Sequence, residues 1–323
     1  MLVAVGGALY AARSSGYLGF GLAHLWAQIM PRDEAILSYL PLDERAFLLV
    51  SPHHLEPRAF DPQGRPPAPL ERLRADVRQV AGVDLALDVD RLALSPGLAV
   101  ARGRFDRSGL GQRLARAGYR QDEYRGVPRW VKADEDAVAL DDGTLLYGGE
   151  GALKAALDAH LDEGRSLASR PDIVARLDRA GWSHAFVAYV DGSQTTSLRA
   201  ALLGSTGPRG LVAALDTTQA GVELHGLVEA PSPEATDELF SLLESKRRGL
   251  ERAAAGLGGA SGPLLEKAVA AAVLRKGGEP ASVEAHARLG AAEVATLLRE
   301  ASGATERLRE AYQALRLVQL LSP

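Results

Sequence analysis

The chain has no cysteine and no asparagine among its 323 residues. Without cysteine, disulfides, thiol nucleophiles and thiolate metal sites are all excluded, and the redox compartment stays open. Without asparagine there is no N-glycosylation acceptor, and the best left-handed residue after glycine is missing. The 34 glycines therefore carry most of the turn chemistry. Lysine is scarce too: five lysines stand among 37 basic residues, leaving 32 arginines. That bias, together with abundant Ala, Gly and Leu, reads as a high-GC bacterial codon signature. Net charge is −4, so no overall field favours nucleic acid, and no nucleic-acid partner is expected. The basic stretch "ESKRRGLER" (244–252) continues a helix that also carries Glu244 and Glu251, and reads as a solvated face.

No hydrophobic run is long enough to be an ordinary membrane span. "MLVAVGGALYAA" has twelve apolar residues before Arg13, Ser14 and Ser15 interrupt it, against about 20 needed to cross a bilayer. It also lacks a basic n-region and a good small-x-small cleavage site. Two readings remain for residues 1–30. One is an atypical export signal or anchor, with Tyr17 and Trp26 as interfacial aromatics. The other is a buried helix pair crossing closely at Gly16, Gly19 and Gly21. Leu22, Leu25, Trp26 and Ile29 share one helical face, which suits either.

What is present is rhythm. "DRLALSPGLAVARGRFDRSGLGQRLA" (90–115) and "RGLVAALDTTQAGVELHGLVEAPSPEATDELFSLL" (209–243) both read as strand, strand, capped helix. "RAFLLVSPH" (45–53) is echoed by "HAFVAYVDG" (184–192), and "ASVEAHARLGAAEVATLL" (281–298) repeats the strand-then-helix ending. Between them, Ser95-Pro96-Gly97 marks a turn, and Asp142-Gly143 marks a tight hairpin. Leu70, Leu73, Val77 and Val80 recur at helical spacing up to Gly82. Pro171 suits the first position of a helix that ends at Gly181, and Asp106 and Ser232 suit N-caps. "AAAGLGGASGP" (253–263) reads as a joint between helices.

Internal duplication follows. The expected fold is α+β: two similar halves of mainly antiparallel sheet with helices packed on one face, plus an N-terminal hydrophobic helix. The segments are 1–30, an anchor or docking helix; 31–180, the first unit; 181–300, the second; and 301–323, a C-terminal helix. That last helix aligns Leu308, Tyr312, Leu315 and Gln319 and has an apolar tail, as a buried or partner-contacting helix would.

Chemistry is sparse. His53, His54 and Glu56 stand together in a loop and offer a zinc-type ligand set, but without H-E-x-x-H spacing. Adjacent histidines on extended chain also point to opposite faces. "GLGGASG" and "LGSTGPRG" lack the strand-loop-helix context of a phosphate loop. No G-x-S-x-G elbow or calcium loop occurs. Asp134, Glu135, Asp136, Asp141 and Asp142 crowd one hairpin, where turn chemistry accounts for them. His225 and His286 fall at matching positions of two echoes and read as residues of the outer sheet face. No catalytic, cofactor-binding or metal-binding residue is assigned, and no cofactor is expected.

The segments "LPLDERAFLLVSP", "DVDRLALSPGLAVARGRFD", "ALDDGTLLYGGEGALKAALD" and "VELHGLVEAPSPEATDELFSLL" resemble a broad group of duplicated α+β proteins of high-GC bacteria. Members of that group are exported or held by one N-terminal hydrophobic segment, and the group has no established activity. The resemblance spans roughly 35–300 and implies a cell-envelope location. This chain departs from the group in its shorter, interrupted hydrophobic segment. The leading expectation is a non-catalytic envelope protein whose ectodomain binds a partner or lipid-like ligand. A protein partner or a membrane surface would be met through residues 1–30 and the C-terminal helix. The alternatives are a soluble hydrolase using His53, His54 and Glu56 or an acidic cleft, and a structural subunit of a larger assembly.

Exposure of Leu2, Val3, Val5, Leu22, Leu25, Trp26 and Ile29 on a monomer would make an unusually large apolar patch. Deleting residues 1–30 is expected to leave a soluble, folded protein, as judged by circular dichroism and size-exclusion chromatography. An insoluble or unfolded product would favour the buried helix pair.

Overall fold

The computed structural model describes residues 34–55, 75, 78–79, 81–132, 136–141, 143–192, 207–255, 261–278 and 281–296. The N-terminal segment 1–30, the helix expected at 301–323 and Glu56 lie outside the described residues.

Turn chemistry sets the local structure where the sequence marks it. Strands β1 (Ala46–Val50), β2 (Val89–Ser95) and β3 (Leu98–Gly103) come first, after a one-turn helix α1 (Glu34–Leu37). Ser95 pairs with Leu98, so Pro96 and Gly97 alone make the β2–β3 turn, with Gly97 at φ 80°. Proline fixes the first corner and glycine supplies the positive φ at the second. Helix α2 (Arg107–Arg116) is capped by Asp106, whose carboxylate accepts the Ser108 N–H at 3.1 Å. The hairpin β4 (Arg120–Tyr124) and β5 (Val127–Val131) turns on Arg125 and Gly126, both at positive φ. In the next hairpin, β6 (Asp136–Asp141) and β7 (Thr144–Gly149), Asp141 pairs with Thr144 and Gly143 lies at φ 75°. Helices α3 (Glu150–Leu161) and α4 (Pro171–Ala180) follow, the latter opening on Pro171 and stopping at Gly181.

Then come β8 (Phe186–Asp191), β9 (Gly210–Thr218), β10 (Gly221–Glu229), α5 (Pro233–Ala255), α6 (Ser261–Ala271), β11 (Val273–Gly277) and β12 (Ser282–Gly290). Residues 291–296 are helical. Strand β11, "VLRKG", is too short and too charged to stand out in the sequence.

All the described strands join one antiparallel sheet of twelve, in the order β11-β12-β10-β9-β8-β1-β2-β3-β7-β6-β5-β4. The centre is β1 against β8, with Leu48 opposite Ala188. Outward from that pair the two arms run β1, β2, β3, β7, β6 and β8, β9, β10, β12, β11. The β5–β4 hairpin extends the first arm alone.

The helices cover both faces, which corrects the expectation of helices on one face. Helices α1, α3 and α4 bury Ile36, Leu37, Leu153, Leu157, Ile173 and Leu177 against Phe47, Leu49, Val100, Ala139, Val187, Tyr189 and Leu227. On the opposite face, Leu110 and Leu114 of α2 meet Trp130, Val138 and Leu140, and Leu239 of α5 meets Val228 and Val283. The reason lies in the strands. Consecutive residues such as Ala137, Val138, Ala139 and Leu140, or Leu227 and Val228, are all apolar and buried. Since successive side chains point to opposite faces, such a run needs cover on both.

Helix α4 precedes the second unit in sequence yet packs on β9 and β10. Arg176 on α4 donates through Nε to Glu229 at the end of β10, and through Nη1 to Asp172 at 3.0 Å and to the Tyr189 hydroxyl at 3.3 Å. The Arg176 and Glu229 side chains are 8% and 9% exposed, so each charge depends on the other. Removing Arg176 leaves the buried Glu229 with the longer contact to Arg179 at 3.5 Å, a poorer match for its charge. Arg176→Ala is therefore expected to cost about 3–5 kcal/mol of unfolding free energy, while Arg176→Met with Glu229→Leu costs clearly less than the sum of the single changes. Urea denaturation of the three variants measures this.

Candidate functional site

A cleft in the described structure opens beside α3. Residues 40–45 are pinned across the loop that follows α3: Leu42 N–H donates to the Arg165 carbonyl at 2.9 Å, and Leu167 N–H to the Leu40 carbonyl at 2.9 Å. A bridge between Pro41 and Ser166 completes the clamp. The space left between is about 500 Å³, lined by Pro41, Leu42, Asp43, Arg45, Ala155, Asp158, Ala159, Arg165 and Arg170. Its apolar wall is Pro41, Leu42, Ala155 and Ala159, and Leu42 is 40% exposed.

Three guanidiniums ring this wall. Arg170 is held by Asp172 through two bonds of 2.8 and 2.9 Å. Arg165 reaches Asp162 at 3.4 Å with its side chain 69% exposed, and Arg45 lies 3.9 Å from Asp191 and is 42% exposed. Of the two acidic lining residues, Asp43 and Asp158, the second is engaged by Arg125 at 2.9 Å and by the Tyr124 hydroxyl, and Asp162, outside the lining, takes the other branch of Arg125 at 2.7 Å. The Asp162 carboxyl is held below its ordinary range, chiefly by the hydrogen bond from Arg125. The cleft can thus present cationic donors beside an apolar surface.

The loop of His53, His54 and Glu56 does not gather its members. His53 is buried in the short turn Pro52–His54 and places Nε2 3.3 Å from Asp90 Oδ1 on β2. His54 turns toward the second half, with Nδ1 against the Ser183 carbonyl, and its own carbonyl accepts the Thr217 hydroxyl at 2.7 Å. Their neighbours are thus on different strands, and the pair serves to seat the end of β1 between the two halves. Glu56 lies outside the described residues, as do Asp134, Glu135 and Asp142. Among the described residues, no three His, Asp or Glu side chains converge as a metal-binding group.

A constellation that the sequence did not assemble lies on β10 and β12 beyond the end of α4. His225 and His286 are direct cross-strand partners, with their Nδ1 atoms 2.9 Å apart. His184 stands beside them, its ring centroid 5.4 Å from that of His225. Its Nδ1 meets Asp216 Oδ2 at 2.5 Å and its Nε2 meets the Ala180 carbonyl at 2.5 Å. The Asp216 contact pushes the His184 pKa up. Burial pushes that of His225 down, helped by the neighbouring His184 and His286. His225 and His286, expected on the outer sheet face, reach solvent, His286 being 46% exposed and His225 half-buried. The face is the one that α4 covers further along the sheet, since His225 lies opposite Ala214 and shares a face with Leu227. Two "V-E-x-H" phrases 61 residues apart were the available signal, but only sheet register shows that the rings meet.

No family model matches the chain, and no curated protein matches it. Solved structures with a similar course include those of TP0453. Its crystal form I superposes with a TM-score of 0.46 at 10% identity, covering 81% of this chain and 95% of that one. Form III gives 0.44 at 9% identity over 80% and 96%, and form IV gives 0.45 at 8% identity over 81% and 95%. Among the described residues, no helix is long and apolar enough to cross a membrane.

The arginine ring rests on Asp172, whose carboxyl is pulled from its ordinary 3.8 to about 2 by its bonds from Arg170 and the nearby Arg176. A depressed carboxyl contributes stability that is present above its unfolded pKa and is lost as pH falls through the folded value. Asp172→Asn is therefore expected to be less stable than the parent by a constant margin from about pH 5 to 7, the margin shrinking as pH falls from about 4 toward 2. Denaturant midpoints across that range test it; a margin that widens at low pH would be the wrong sign.

Proposed function

We propose that this is a non-catalytic cell-envelope binding protein that holds an anionic amphiphile, a lipid-like ligand, in the cleft of Arg45, Arg165 and Arg170. Residues 1–30 serve as its membrane attachment. The observation that carries the reading is the cleft itself: cationic donors ring an apolar wall of Pro41, Leu42, Ala155 and Ala159. Guanidinium forks match carboxylate and phosphate oxygens, and the wall accepts the start of an acyl chain.

The chain path supports it. Pro41 lies eleven positions after residue 30, a reach of at most about 40 Å even fully extended. A protein attached through residues 1–30 therefore holds this cleft close to the bilayer surface. The matching order of the two arms supports a further element of the reading: the scaffold is two copies of one strand–hairpin–helix unit joined edge to edge at β1 and β8. The first copy carries the added β4–β5 hairpin and the cleft.

Oleate is a suitable anionic probe and oleyl alcohol its uncharged twin. The full chain is expected to bind oleate saturably and the alcohol at least tenfold more weakly. Arg45→Ala with Arg165→Ala should lower oleate affinity at least tenfold without shifting the melting temperature by more than a few degrees, since Arg165 is largely exposed and Arg45 partly so. Equal binding of the two probes, or unchanged binding in the double variant, would refute the cleft as the site.

A further inference from the structure

We propose that His225 and His286 form a two-imidazole site for a divalent transition-metal ion of the copper or nickel type, with water completing its coordination. The site is separate from the arginine cleft and does not depend on it.

Geometry comes first. The two residues are exact cross-strand partners on β10 and β12, and the ladder around them is unbroken from Gly221–Gly290 to Glu229–Ser282. Backbone hydrogen bonding therefore fixes where both rings start. Their Nδ1 atoms face each other at 2.9 Å. Two nitrogens each about 2.05 Å from one metal, subtending a right angle, stand about 2.9 Å apart; a tetrahedral angle would need about 3.3 Å. The observed spacing is that of two adjacent corners of a square-planar or tetragonal site, the geometry of Cu²⁺ and Ni²⁺.

Carboxylates stand near the pair. Glu284 Oε2 lies 4.0 Å from His286 Nε2, too far for a direct hydrogen bond and within reach of one through a single water. A carboxylate joined to a ligating imidazole in that way orients the ring. Ligation through both Nδ1 atoms places each ring's proton on Nε2, and neither ring changes charge. Glu223, on the same face two residues before His225, is 3.2 Å from Arg288, and Asp216 lies on the neighbouring strand. His184 cannot be a third ligand while both its nitrogens are engaged by Asp216 and Ala180. It forms one wall. The opposite side is open, because His286 is 46% exposed.

The same 2.9 Å also suits an N–H···N hydrogen bond between neutral rings, so the experiment must separate the two. Titrating the full-length protein with Cu²⁺ and recording electron paramagnetic resonance reads the donor atoms directly. The expected result is one saturable equivalent with hyperfine structure from two equatorial nitrogens. His225→Ala and His286→Ala should each weaken that equivalent at least tenfold and reduce the nitrogen count, while His53→Ala leaves both unchanged. Ni²⁺ calorimetry should show the same dependence on the two residues. A spectrum without two imidazole nitrogens in the unmodified protein would overturn the proposal whatever the variants do. So would a copper equivalent that survives in both variants.

Discussion

The buried couple between Arg176 and Glu229 is the constraint on which the architecture turns. It joins α4, which closes the first half in sequence, to β10, which belongs to the second. Two charges out of water are held only where their remaining hydrogen-bonding capacity is met. Here Asp172 and Tyr189 take further donors of the guanidinium, and Arg179 approaches Glu229 at 3.5 Å. Burial pushes the Tyr189 pKa up to about 12, so its hydroxyl keeps the proton that it offers to Asp191 at 3.4 Å. Space is reserved as well. A Cβ at Gly210 would stand 3.3 Å from Arg176 Nε, so glycine lets β9 pass beneath the guanidinium.

This couple ties together the two stretches of sequence that were expected to form separate units. The sequence boundary near 180 falls between α4 and β8, but α4 lies over β9 and β10, and β8 pairs along its length with β1. A cut there would strip the second arm of its cover and expose the β1 edge. The outer edges of the sheet are protected differently. Strand β4 is "RQDEY", mostly exposed and charged, and β11 carries Arg275 and Lys276. Charged edge strands of five residues discourage pairing with another chain, which a sheet of twelve strands open at both ends would otherwise invite.

How much of this was legible beforehand divides along sequence distance. Turns and caps are set by residues next to one another, and Pro96-Gly97, Gly143, Asp106 and the Pro171–Gly181 frame all stand where their chemistry puts them. The alternation of apolar residues marked the strands but not their two-sided burial, because the runs in β6 and β10 fit a strand covered on one face or on both. What depends on register was hidden. His225 meets His286 across 61 positions, Leu42 meets Arg165 across 123, and Arg176 meets Glu229 across 53. The His53–His54 loop shows the converse: neighbours in sequence point to different strands once β1 is seated, the divergence expected of adjacent histidines.

The arginine bias, read from the sequence as a codon signature, has a physical consequence in the fold. Arg91, Arg129 and Arg176 are all buried, whereas none of the five lysines is. Arg91 donates to the Trp182 carbonyl at 2.6 Å, and Arg129 forks between Asp122 and Glu150 at 2.5 and 3.0 Å. A guanidinium suits such places because it offers five donors in a fixed plane and is weakly hydrated. It also cannot escape burial by losing its proton, as a lysine can, so each buried arginine needs acceptors held around it. That requirement accounts for the carboxylates at 122, 150, 172 and 229. The same property governs the cleft. Its lining takes arginine at 45, 165 and 170, and each guanidinium has a carboxylate within reach: Asp191, Asp162 and Asp172.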